Sequence, residues 1–178
     1  MKKEVFEKLF KEAVEDFERF STKTRIYYKE KRLIWNDVSR ILLVLHKNIK
    51  EDDNKKKVKM NINNVLFTAI LLESRLKIKD FLETMAERIT ETKRRLSSKS
   101  GEYSHNDDRF CNFRYTSEKY NKPLEAVIFD YMSKHESSID LIVKTFDKIN
   151  YSNDIIDEKL GDLVGYLFLL KVYFYNKI

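Results

Sequence analysis

Apolar residues recur at helical spacing from the start of the chain. Phe6, Leu9, Phe10, Ala13, Val14, Phe17 and Phe20 fall on one face at a period near 3.6, which predicts an amphipathic helix over residues 2–20. Ser21-Thr22-Lys23-Thr24 interrupts it, and a second stripe follows at Leu33, Ile34, Val38, Ile41, Leu42, Leu45 and Ile49. The run from Glu51 to Lys57 has no apolar residue and predicts an exposed loop. A third stripe (Ile62, Val65, Leu66, Ala69, Ile70) passes through Ser74-Arg75 into Ile78, Phe81, Leu82, Met85, Ile89 and Leu96. That pattern fits one kinked helix and two shorter ones equally.

Ser97-Ser98-Lys99-Ser100-Gly101 is the strongest break in the chain. The polar segment from Glu102 to Asn121, with anchors at Phe110, Phe113 and Tyr120, predicts a loop leading into a short helix. Asn121-Lys122-Pro123 reads as a helix start, with Asn as cap or near-cap and Pro in the first turn, where its missing N–H costs nothing. The helix that follows is expected to bury Leu124, Val127, Ile128, Tyr131, Ile139, Ile142 and Phe146, and to end at Asn150-Tyr151-Ser152-Asn153-Asp154. A last helix over about 155–176 is apolar around most of its circumference between Leu163 and Tyr175, so it belongs at the centre. The expected fold is all-α, a compact bundle of five to seven helices, with a basic helical N-terminal part over 1–80 and a helical domain over 81–178.

Composition narrows the function classes. With only 3 Gly and 1 Pro in 178 residues, the chain lacks the turns of a sandwich, a barrel or a doubly wound fold with Gly-rich phosphate loops. The lone Cys111 excludes an internal disulfide framework, and His46, His105 and His135 are too scattered for a Cys/His zinc site. Residues 1–20 alternate charge and hydrophobe, unlike a signal peptide. The longest apolar runs, Val65 to Leu72 and Leu163 to Leu170, fall well short of the ~18 residues of a membrane span, so a cytoplasmic protein with no membrane partner is expected. Residues 1–100 hold 25 Lys and Arg against 16 Asp and Glu, while residues 101–178 hold 10 against 13. The basic excess therefore sits in the first half, where it would favour encounters with a polyanion or an acidic protein, or simply solvate helix faces.

Four stretches can carry chemistry. In Asp107-Asp108-Arg109-Phe110-Cys111-Asn112-Phe113, Arg109 offers a planar fork for phosphate and Asn112 an amide for a base or sugar edge; the structural alternative is a capping Asp, an intrahelical pair and two core aromatics. Lys134 and His135 sit in mid-helix and can border one groove, with His135 as proton shuttle, oxyanion contact or packing residue. Glu158 and Asp162 lie one turn apart, and two like charges there cost roughly 0.2–0.5 kcal/mol unless a cation stands between them. Such paired hard oxygens suit Mg²⁺. Gly161 and Gly165, each about 1 kcal/mol worse than Ala in mid-helix, leave a bare strip for a close backbone or a flat ligand. Glu83, Glu87 and Glu91, spaced by four, either complete a carboxylate cluster or form a solvated face.

The succession Gly101-Glu102-Tyr103, Asp108-Arg109-Phe110 with Asn112-Phe113, Lys134-His135 with Ser138-Ile139, and Glu158-Lys159 with Asp162 and Tyr166-Leu167 resembles the phage nucleotide modification associated domain 1 family. The likeness covers roughly residues 85–177; residues 1–80 resemble no family. It is also similar in architecture to the MazG-like all-α nucleoside triphosphate pyrophosphatases. The resemblance implies a bacteriophage protein of nucleotide metabolism or DNA modification. In the MazG-like enzymes a Glu-x-x-Glu helix and a Glu-x-x-Asp helix hold Mg²⁺ against a triphosphate, and water releases pyrophosphate. Carried over, Glu158 and Asp162 take the second helix and Glu87 and Glu91 the first, at i, i+4 in place of i, i+3, while Arg109, Asn112, Lys134 and His135 become nucleotide contacts.

Three function classes follow: a nucleotide-handling domain with metal-dependent pyrophosphohydrolase chemistry; a non-catalytic phage antagonist of host defence, binding a nucleotide signal or, through its basic N-terminal half, a nucleic acid or host protein; and a self-associating helical assembly protein. For direct DNA contact the best patch is Tyr27, Tyr28 and Trp35 beside Arg25, Lys29 and Arg32, with helix packing as the competing explanation.

Overall fold

The computed structural model describes residues 1–26, 30–50, 55–98 and 108–176. These residues form seven α-helices and no strand: α1 (Lys3–Lys23), α2 (Lys31–Lys50), α3 (Lys55–Lys77), α4 (Phe81–Ser98), α5 (Cys111–Tyr120), α6 (Leu124–Thr145) and α7 (Asn153–Asn176). The all-α expectation and the helix number hold. Among the described residues no helix is long and apolar enough to cross a membrane.

The long third stripe is two helices. Ile78 adopts a left-handed φ of 54°, and the Lys79 N–H returns to the Ser74 carbonyl at 2.9 Å, a six-residue closure that ends α3. Asp80 then caps α4, its Oδ1 accepting the N–H groups of Leu82 at 2.8 Å and Glu83 at 3.2 Å. Two boundaries differ from expectation. Lys55 to Lys57, read as loop, are the first turn of α3, consistent with lysine's good helix propensity; residues 51–54 lie outside the described set. Asn121 ends α5 at φ 48°, with the Lys122 N–H on the Ser117 carbonyl at 3.0 Å, and Pro123 itself stands at the N-cap of α6.

α7 is the central element, touching α1, α3, α4 and α6, while α2 packs on α3 and α6 and α5 leans on α6. Phe168 meets Phe17 edge-on at 6.0 Å and Phe10 at 5.5 Å, so α1 closes over the middle of α7. One hydrophobic cluster runs from Phe6 to Phe174 without a break near residue 80. Burying a Leu, Ile or Phe side chain is worth ~1.5–3 kcal/mol, so this shared core is the main stabilising term.

The fold also buries charged groups. Lys171 is wholly buried, and its Nζ donates to the Ala13 carbonyl at 2.7 Å and Asn63 Oδ1 at 2.6 Å, with Asp16 Oδ2 at 2.9 Å. Burial lowers this ammonium to about 8 against the pull of Asp16. The arrangement pins α1, α3 and α7 together. Trp35 is likewise structural, its Nε1 donating to Asp140 Oδ1 at 3.0 Å, so helix packing explains it; Tyr27, Tyr28 and Lys29 lie outside the described residues.

α4 turns a polar face inward. Phe81, Thr84, Arg88 and Thr92 are its buried positions, whereas Leu82 is exposed and Met85 and Ile89 are half-buried. α6 likewise departs from its expected stripe: Tyr131 is 36% exposed and Phe146 half-buried, while Phe129, Met132 and His135 point into the protein.

Candidate functional site

The inward polar face of α4 meets α3 and α7 in a network of charges. Arg88 donates from Nε to Glu73 Oε2 at 2.8 Å and from Nη2 to Glu73 Oε1 at 2.5 Å. The same Nη2 reaches Asp157 Oδ1 at 2.7 Å, and Nη1 reaches the Asp157 carbonyl at 3.3 Å. Lys77 adds its Nζ at 2.7 Å from Asp157 Oδ1. The Glu73 and Arg88 side chains are each 2% exposed, so this two-pronged pair is cut off from water. Burial raises the Glu73 carboxyl above its ordinary range against the pull of the Arg88 guanidinium.

One turn further along, Glu91 accepts from Arg94 and, at 2.8 Å, from Arg95. Arg95 Nη1 stands 3.3 Å from Asp162 Oδ1, and Asp162 Oδ2 lies 3.5 Å from His135 Nδ1. Burial lowers the His135 pKa against the attraction of Asp162, which keeps the imidazole neutral near pH 7, and its buried Nε2 has no partner among the described residues. Tyr166 sits beside it, with ring centroids 5.5 Å apart, and belongs to an aromatic cluster with Phe113 and Tyr131.

Two openings flank this ladder of charges. A polar cleft of about 400 Å³ is lined by Glu73, Lys77, Glu87, Arg88, Glu91, Arg95, Asp154 and Asp157, five carboxylates and three cations. A smaller slot of about 120 Å³ is lined by Thr92, Arg95, Leu96, Gly161, Asp162, Gly165, Tyr166 and Leu169. Arg95 belongs to both.

No family model, curated protein or solved structure matches the chain.

The structure brings some sequence candidates together and separates others. Glu87 and Glu91 do face α7, but across the cleft from them stand Asp154 and Asp157, at i, i+3, rather than Glu158 and Asp162. Glu158 is exposed and paired with Lys159 at 2.6 Å; Asp162 lines the slot. Glu87 is held by Lys79 at 2.8 Å, and Glu83 lies 3.9 Å from the same lysine. Arg109 donates to the Leu96 carbonyl at 3.0 Å near the end of α4, a helix-end contact, while Phe110 and Phe113 are packing residues, as the structural alternative has it. Asn112 and Lys134 are exposed, the Lys134 ammonium 5.7 Å from the Tyr131 ring. Gly101 to Asp107 lie outside the described residues.

Sequence reasoning passed over Glu73, Arg88, Thr92, Asp154 and Asp157. The available signal was a carboxylate inside the apolar run Leu71-Leu72-Glu73, and an arginine at an inward spacing from Phe81 and Thr84.

Among the described residues no three metal-ligating side chains converge on one point. Mg²⁺, however, ordinarily takes one or two carboxylates and completes its shell with water and phosphate oxygens. Carboxylates presented on facing helices, with cations among them, fit that mode.

The two mid-helix glycines differ in what surrounds them. A Cβ on Gly161 would collide with Arg88 Nη1 and lie 3.3 Å from Arg95 Nη1, so the bare backbone lets the guanidinium lie on α7. A Cβ on Gly165 would meet no neighbouring heavy atom of the described residues within 4 Å. Gly161→Ala is expected to lower stability by about 1–2 kcal/mol, because displaced charge-assisted hydrogen bonds outweigh the helix-propensity gain. Gly165→Ala should raise stability by about 0.5–1 kcal/mol. Denaturant titration of both variants reads the signs, and equal signs would contradict this geometry.

Acid stability follows from two carboxyls. Hydrogen bonds from Arg94 and Arg95 hold Glu91 at about 2, below its ordinary 4.5. Burial alone would raise Asp108, but Arg114, the α-amino group of Met1 and the Phe110 N–H bring it down to about 2 from 3.8. A depressed folded pKa confers stability that is present above the unfolded pKa and lost as pH falls through the folded one. The melting temperature should therefore fall between about pH 5 and pH 2. Glu91→Gln should flatten part of that fall; an unchanged profile would remove Glu91 from the account.

Proposed function

We propose that this chain handles nucleotides, as a metal-dependent (deoxy)nucleoside triphosphate pyrophosphohydrolase of phage nucleotide metabolism. The observation that carries the reading is the junction at Arg95, where a cleft of mixed charge adjoins a mostly apolar slot. A nucleotide divides the same way, into phosphates that travel with a cation and a flat base. The resemblance of residues 85–177 supplies the phage and triphosphate terms.

In this reading Asp154, Asp157, Glu87 and Glu91 face the metal, and Lys77 and Arg95 face phosphate oxygens. Asp154 makes no ion pair among the described residues and is the most available of the carboxylates. Glu91 fixes Arg95 at the junction, and Glu73 with Arg88 holds Asp157 on the cleft wall. When bound, Mg²⁺ would offset phosphate charge that the chain's own three cations meet only in part.

A second reading is a non-catalytic nucleotide-binding antagonist of host defence. What favours it is that Glu73, Glu87, Glu91 and Asp157 are already engaged by protein cations. A chromatographic assay with natural and modified (deoxy)nucleoside triphosphates, with and without Mg²⁺ or Mn²⁺, separates the two. Monophosphate and pyrophosphate released only with metal support the enzyme; nucleotides that bind yet stay intact support the antagonist.

A further inference from the structure

α4 is docked differently from α1. α1 brings Phe6, Phe10, Ala13 and Phe17 to the core, whereas the inner face of α4 carries Phe81 at its first position and then Thr84, Arg88 and Thr92. Met85, Ile89 and Leu96 flank that face half-buried. Much of what joins α4 to its neighbours is polar: Arg88 to Glu73 and Asp157, Arg95 to Asp162, and Arg109 on the Leu96 carbonyl. These groups regain water when they separate, and the desolvation cost of a buried pair can match its attraction. The pairs therefore specify where α4 docks more than they lock it there.

Two features penalise the docked state. Ile78, at the joint between α3 and α4, holds a φ of 54°, a left-handed conformation that is costly for a β-branched residue. Its side chain is 91% exposed, so burial does not offset that cost. In the second half of α4, Thr92 buries its hydroxyl with no hydrogen-bond partner among the described residues, a penalty that ends when water reaches it. One motion, separation of α4 from α3 and α7 about Ile78, relieves both.

We infer that α4 is a lid. Hinged at Ile78, it swings off α3 and α7 as one unit while the rest of the core stays folded, and its closure assembles the charged cleft. Glu87, Glu91 and Arg95 ride on α4, whereas Asp154 and Asp157 stay with α7, so the open state parts the two walls. The inference stands on how α4 is held and goes beyond the nucleotide reading. A lid that opens in a protein that binds no nucleotide, or a rigid α4 in one that does, tells the two apart.

Native-state hydrogen exchange of the full chain, without ligand and at low denaturant, is the test. Amides from Thr84 to Arg95 are expected to share one opening equilibrium, populated roughly tenfold or more above the one that exposes Leu160 to Leu170 of α7. A shared value separates a lid from fraying, which grades inward from the helix ends. Ile78→Gly takes the left-handed conformation without strain, and Thr92→Val removes the unpaired hydroxyl at similar volume. Each should make the opening of α4 roughly threefold to tenfold rarer. Exchange of α4 and α7 through the same opening, a graded profile along α4, or either variant opening as often as the parent would overturn the lid.

Discussion

Glu73→Ala is expected to destabilise the fold by about 3–5 kcal/mol, the usual cost of breaking a buried ion pair from one side. The substitution leaves the Arg88 guanidinium, 2% exposed, with only the Asp157 contacts. A domain of this size is stable by roughly 5–15 kcal/mol, so the single change takes a large share of the total. The double variant Glu73→Leu/Arg88→Met should recover most of the loss, because apolar groups of similar volume replace buried ion pairs at little net cost. Denaturant unfolding of the three proteins checks both statements. A loss below about 1 kcal/mol in Glu73→Ala would mean that water reaches the pair.

The second large effect falls on function. Asp154→Asn should reduce turnover on the order of 100-fold, as loss of one charged contact to metal or developing charge commonly does. Its melting temperature should barely move, since Asp154 is exposed, holds no ion pair among the described residues, and contributes only a helix-terminus interaction worth about 0.3–1 kcal/mol. Asp157→Asn is expected to lower both turnover and stability, because Lys77 and Arg88 depend on that carboxylate. The contrast between neighbours on one face separates chemistry from scaffolding. Asp154→Asn with unchanged turnover would remove the cleft from the reaction.

Much of the fold is legible in residue spacing. The stripes of α1 and α2, and the nearly all-apolar α7, follow directly from a 3.6 period, because burial of Phe and Leu dominates their placement. Ile78 hides the break between α3 and α4, since a β-branched residue gives no sign of a left-handed turn that Gly or Asn would announce. On α4 the apolar period selects Met85 and Ile89, yet Arg88 and Thr92 take the interior, because Glu73 and Asp157 provide partners that spacing within one helix cannot reveal.

The candidate site is legible only in part. Glu87, Glu91, Asp162 and Gly165 carry local signals and do meet at the facing surfaces of α4 and α7. The Glu158–Asp162 spacing stands out in the sequence, but the rotation of α7 against α4, which spacing within one helix does not reveal, turns Asp154 and Asp157 to the cleft instead of Glu158. The two glycines looked equivalent, and only the three-dimensional surroundings distinguish the one beneath Arg88 from the one facing open space.

The most direct measurement is calorimetric titration of the full chain with a non-hydrolysable deoxynucleoside triphosphate analogue, with and without Mg²⁺. Metal-dependent binding that is lost in Asp154→Asn and weakened in an Arg95→Gln variant is the predicted result. Absence of binding under both conditions, or binding indifferent to metal and to both substitutions, would contradict a metal–nucleotide site in the α4–α7 cleft.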